Sequence, residues 1–81
     1  MITIPIIKPN HLYYLEWFIE EDDREGFMIG TFDILQDPET NKIIFIDFKI
    51  DGDINIYRIP IQYVIEIKEY NYEKKIQLFK L

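Results

Sequence analysis

Apolar residues fall along this chain in short, often alternating runs. Turn residues interrupt that alternation at short intervals, which is the pattern of an all-β domain. Met1 to Ile7 reads as a short strand. Pro5 and Pro9 restrict it to a sheet edge or a bulge, because proline cannot donate to a ladder. His11 to Glu20 fits two periods. Leu12, Leu15 and Ile19 have helical spacing, whereas Tyr13, Leu15, Trp17 and Ile19 alternate. The strand is favoured, after a helical turn starting near Asn10. Glu20 to Gly26 reads as a charged loop, and Phe27 to Leu35 as the next strand. Turn chemistry over Gln36 to Lys42 leads into a strand from Ile43 to Ile50. Asp51-Gly52-Asp53 makes a tight turn before Ile54 to Ile59. A break at Pro60 precedes strands over Tyr63 to Tyr70 and Lys75 to Leu81.

Register can be tested on the sequence itself. Leu35 opposite Ile43 places Met28, Gly30, Phe32 and Ile34 on one face with Ile44, Ile46, Phe48 and Ile50. Ile50 opposite Ile54 adds Ile54 and Ile56 to that face, giving one apolar surface over three strands. The opposite face carries Thr31, Asp33, Asp47, Lys49 and Asn55. It also carries Phe27, Ile29, Leu35, Ile43, Phe45 and Tyr57, more apolar surface than a solvated face needs. Either the terminal strands cover it, or a partner or second copy does.

Composition sharpens this picture. The 81 residues make one domain, 1–81, with a modest core. Isoleucine occurs 18 times, valine once, and alanine and serine never. Branched and aromatic residues suit strands, and the best helix former is missing. The bias resembles AT-rich coding, as in a low-GC bacterium, a thermophilic archaeon or one of their viruses. Cysteine is absent, which suits a reducing, cytoplasmic setting. The expectation is no signal peptide and no membrane span. A net charge of −6 opposes general binding to nucleic acid or anionic membranes and permits a basic protein partner.

The chemistry of catalysis is sparse. With no Ser or Cys, three Thr and one His, the usual nucleophile–base pairs cannot be assembled. The expectation is no enzyme and no cofactor. His11 is expected to be exposed and idle. Asp33 and Asp47 share a face, but no pocket is implied that would shift a carboxyl's pKa. Asp51-Gly52-Asp53-Ile54-Asn55 opens like a calcium loop, yet Ile56 and Gln62 stand where glycine and glutamate are required. It reads as a hairpin turn, and no metal is expected.

The densest charge run is Glu20, Glu21, Asp22, Asp23 and Glu25, beside Tyr13, Tyr14, Trp17 and Phe18. Acids steer and aromatics anchor at protein interfaces. These residues, Phe18 apart, form the candidate partner-binding set, although alternation buries about half of the four aromatics.

The string Ile59-Pro60-Ile61-Gln62-Tyr63-Val64 is similar to the end of SH3 domains. That resemblance implies a small barrel with a 3₁₀ turn between its fourth and fifth strands. It also implies a groove for proline-rich peptides involving Pro60 and Tyr63. Gly30-Thr31-Phe32-Asp33, with Gly52 through Arg58 later, resembles the Sm pattern. That implies an RNA-binding ring using Asp33 and Arg58. The fold expected is therefore all-β: a small five- to six-stranded antiparallel barrel or strongly bent sheet, SH3-like or Sm-like. The expected function is non-catalytic binding to a basic protein surface. The candidate context is a viral or mobile-element accessory protein or inhibitor, with homo-oligomerisation an open alternative.

Overall fold

The computed structural model describes residues 2–71. Five strands form one antiparallel sheet: β1 (Leu12–Ile19), β2 (Arg24–Gln36), β3 (Ile43–Ile50), β4 (Tyr57–Pro60) and β5 (Val64–Tyr70), in spatial order β4-β3-β2-β1-β5. Single 3₁₀ turns occupy Glu20–Asp22, between β1 and β2, and Ile61–Tyr63, between β4 and β5. β4 and β5 are consecutive in the chain yet lie at opposite edges, so the sheet is not closed into a barrel. The 3₁₀ turn between them packs on β1 and β3.

β2 is long because it serves two neighbours. Its first half pairs with β1 and its second with β3, and Gly30 belongs to both ladders, opposite Tyr13 and Ile50. A Cβ on Gly30 would lie 1.9 Å from the Lys49 carbonyl oxygen. Only glycine lets the β3 backbone approach this closely.

Inward-facing positions build the core. Tyr13, Leu15, Phe32, Ile46, Phe48, Val64 and Ile67 are buried, and the Tyr13 and Phe32 rings meet edge to face at 5.0 Å. Ile2 and Ile4 pack against this cluster, but residues 2–8 form no strand. The strand expected from Met1 to Ile7 is thus absent over its described part, where Pro5 and Pro9 remove ladder donors. No helical turn forms at Asn10, which turns the chain with φ 63°. The strand expected over Lys75 to Leu81 lies outside the described residues.

Two registers depart from the sequence expectation, with different consequences. Between β2 and β3, Phe32 pairs with Phe48 and Leu35 with Phe45, with a bulge between Leu35 and Gln36. The shift from the expected pairing is two residues, so Phe32, Ile46 and Phe48 are buried as expected. At the bulged end Ile43 packs against the core instead, and Ile34 and Ile44, expected there, are exposed. The connecting loop sets it: the Asp37 N–H donates to the Lys42 carbonyl at 2.8 Å, and the Asn41 N–H to the Asp37 carbonyl at 2.8 Å.

Between β3 and β4, Ile46 pairs with Ile59 and Phe48 with Tyr57. This is a one-residue shift, which exchanges the faces. Ile54 and Ile56, expected in the core, are 91% and 66% exposed. Ile59 points inward and Arg58 outward instead. The cause is the turn after β3. The Asp53 N–H closes on the Ile50 carbonyl at 2.9 Å, and its carboxylate accepts the Asn55 N–H at 2.9 Å and the Tyr57 hydroxyl at 2.9 Å. That Asx-type turn carries the chain past Ile54 and Ile56 before pairing resumes.

Candidate functional site: the acidic hairpin tip and its groove

The expected loop from Glu20 to Gly26 is a turn over its first four residues and strand over its last three. The reversal needs only the 3₁₀ turn and Asp23, which sits in the left-handed region at φ 50° and returns its N–H to the Glu20 carbonyl at 3.2 Å. Arg24, Glu25 and Gly26 already belong to β2, opposite Ile19, Phe18 and Trp17. Glu20, Glu21, Asp22, Asp23 and Glu25 are thereby concentrated, all exposed, at the tip of one hairpin. None of the five forms an ion pair among the described residues.

Strand alternation divides the candidate aromatics. Tyr13 is fully buried, which corrects its placement in a partner-binding set: it belongs to the core. Its hydroxyl donates to the Ile6 carbonyl at 2.9 Å and accepts the Lys8 N–H at 2.8 Å. Tyr14 faces outward, stacked on Phe27 at 5.6 Å, with the Lys68 ammonium 5.2 Å from its ring centre. Trp17 is half-buried on the inner face, against Gly26. A Cβ on Gly26 would stand 2.6 Å from the indole, so the missing side chain is what lets the ring lie flat across the hairpin.

Trp17 forms one wall of an open groove of about 610 Å³. Ile19, Arg24 and Met28 continue that wall, while Ile56, Tyr57, Ile59, Pro60 and Tyr63 supply the other. The groove ends at the acidic tip, because Ile19 and Arg24 flank the 3₁₀ turn directly. Ile19, Arg24, Met28 and Ile59 were not singled out from sequence. The signal that identifies them is Gly26 directly opposite Trp17, which marks the face where a large ring is accommodated.

Of the alternative RNA-binding pair, Arg58 also lines this groove and Asp33 does not. Asp33, Asp47 and Arg58 form one row across β2, β3 and β4. Arg58 donates from Nε to Asp47 Oδ1 at 2.8 Å and from Nη2 to Oδ2 at 3.0 Å, and lies 5.6 Å from the Phe45 ring centre. The Arg58 hydrogen bonds hold the Asp47 carboxyl below its ordinary value, and Asp47 pushes the guanidinium up. Asp33 stands across from Asp47 on the side away from Arg58.

His11 is exposed, as expected, and its Nδ1 contacts Glu69 Oε1 at 2.5 Å. The Asp51-Gly52-Asp53 turn keeps its hairpin role. The Asn55 N–H first, then the Tyr57 hydroxyl, lowers the Asp53 pKa, and Asp53 in turn raises that of Tyr57. No cluster of three or more His, Asp or Glu residues suited to a metal ion occurs among the described residues. No helix there is long and apolar enough to cross a membrane.

These features define a small all-β protein with a five-stranded antiparallel sheet. No family model, curated protein or solved structure matches the chain.

Proposed function

We propose that this chain is a non-catalytic protein-binding module that engages a basic protein surface through the tip of its β1–β2 hairpin. The observation that carries the reading is the juxtaposition of five exposed acids with an aromatic-walled groove. The acids steer a cationic partner, and Trp17, Pro60 and Tyr63 offer its apolar side chains a place to lodge. The 3₁₀ turn after β4 falls where the likeness to SH3 domains implies one, although the described sheet is open rather than closed into a barrel. Pro60 and Tyr63 line the groove where the likeness to SH3 domains calls for a proline-rich peptide. A viral or mobile-element accessory protein acting on a basic host surface fits the composition and size.

The second reading is an Sm-like, RNA-binding ring. What favours it is that β4 and β5 are the edge strands of the described sheet, where neighbouring copies could pair. The pairing of Arg58 with Asp47 weighs against Arg58 as a phosphate or base ligand.

A tagged pull-down from lysate of the source or its host, divided into nuclease-treated and untreated halves, separates the two. The module captures the same protein in both halves. It loses that protein on combined Glu21→Lys, Asp22→Lys and Asp23→Lys exchange, and retains it in Arg58→Ala. Capture of RNA, with protein recovery collapsing after nuclease, contradicts the module. A hexamer or heptamer that shifts a U-rich oligonucleotide establishes the ring.

A further inference from the structure

Residues 2–8 belong to the core but not to the sheet. Ile2 and Ile4 pack against the buried cluster, near Ile43, Ile61 and Val64, yet the segment makes no strand. Its fastening is by side chains, and both fasteners sit on one cross-strand pair, Tyr13 of β1 and Glu69 of β5. The buried fastener is the Tyr13 hydroxyl, bonded to both Ile6 and Lys8. The exposed one is the Glu69 carboxylate. Its Oε1 contacts His11 Nδ1 at 2.5 Å, and its Oε2 lies 3.5 Å from the Lys8 ammonium. Between them, Asn10 turns the chain in the left-handed region, and the His11 N–H reaches the Lys8 carbonyl at 3.4 Å.

We infer that residues 2–8 form a detachable strap latched to the Tyr13–Glu69 pair, and that protonation of Glu69 loosens the latch and uncovers the end of the core beneath Ile2 and Ile4. Lys8 and His11 are the charged or titratable groups facing Glu69 from the strap and its turn. Lys68, its neighbour on β5, turns instead to Glu66 at 3.1 Å. The hydrogen bond from His11, then the charge of Lys8, lowers the Glu69 pKa from its ordinary value of 4.5. A lowered carboxyl pKa means that the latch is complete above the ordinary value and is lost as pH falls through the depressed one. Salt acts in the same direction, because an exposed ion pair is screened. A ladder-bonded strand would leave only with its whole hydrogen-bond row, whereas this segment can open locally.

Nuclear magnetic resonance of the isoleucine methyl groups in the full chain tests the inference. In the wild type, the Ile2 and Ile4 signals move towards free-peptide positions in a single titration below pH 4.5, while Ile46 and Ile67 stay fixed. In Glu69→Gln, the Ile2 and Ile4 signals are already displaced at neutral pH and no longer titrate. In Tyr13→Phe, protection of the Lys8 amide falls on the order of tenfold. Ile2 and Ile4 signals that hold still in both wild type and Glu69→Gln would overturn the latch. So would Ile46 and Ile67 moving together with them, since that is global unfolding.

Discussion

Gly30 and Tyr13 face each other across β1 and β2, and each is fixed by a different physical constraint. At Gly30 the constraint is space. With a Lys49 carbonyl 1.9 Å from a would-be Cβ, Gly30→Ala must push β3 away, and the loss expected is at least about 3 kcal/mol. Chemical denaturation measures it. Gly52 provides the control: nothing lies within 4 Å of its would-be Cβ, so Gly52→Ala meets only the cost of φ 87°, roughly 1 kcal/mol. At Tyr13 the constraint is polar satisfaction. Tyr13→Phe keeps the ring and removes a partner from both the Ile6 carbonyl and the Lys8 N–H, so a loss of about 1–3 kcal/mol is expected by the same assay. The sequence exposes neither reason. A Tyr on the apolar side of an alternating strand reads equally well as core or as interface anchor. The hydroxyl's partners lie in a segment whose prolines conceal that it returns to the core.

At the scale of elements, alternation made the strands legible and turn chemistry made the registers partly so. β3 has the bounds that its flanking turns imply, and β1 is a strand because Tyr13 and Leu15 both go inward. The face assignment for β2 and β3 holds at Phe32, Ile46 and Phe48 because the register shift there is even, and fails next to the bulge, where Ile43 packs inward and Ile34 and Ile44 are exposed. The assignment for β4 fails because Asp53 lengthens its turn by bonding Asn55 and Tyr57, and an odd shift exchanges faces. Asp53→Ala removes both acceptors. Its expected effect is confined to this connection: faster amide exchange at Asn55 and Tyr57, with β1 and β5 unchanged. The acids of the hairpin tip were legible as a cluster, but the opposite wall of the groove was not. Ile59 and Tyr63 reach Trp17 only through long-range pairing. Charge reversal at Glu21, Asp22 and Asp23 is expected to lower the denaturation midpoint only slightly. The side chains are exposed and unpaired among the described residues, and the cost is confined to Asp23, whose left-handed φ of 50° suits Asp better than Lys. The proposed function predicts that the same variant loses partner capture in the pull-down.

For the whole molecule, charge and pH are linked through carboxylates that native contacts hold ionised. The pKa values of Asp47, Asp53 and Glu69 are all lowered, by Arg58, by the Asn55 N–H and by His11 respectively. A lowered pKa stabilises the fold above the ordinary carboxylate range and ceases to do so as pH falls through the depressed value. Thermal stability is therefore expected to hold steady at neutral pH and decline below pH 4. Asp47→Asn should flatten part of that decline, and a melting series from pH 7 to pH 3 measures both. The proposed binding function concerns the whole molecule too, because it would draw on the tip, the groove and the overall −6 charge together. The chain's single tryptophan lies in that groove and reports on it. The decisive measurement is Trp17 fluorescence during titration with a short Lys/Arg-rich, proline-containing peptide, repeated with a U-rich RNA oligonucleotide. The account predicts a saturable spectral shift with the peptide that weakens with salt, is lost on charge reversal of the tip, and is absent with RNA. A silent Trp17 with the peptide, or a shift with RNA that Arg58→Ala removes, would contradict it.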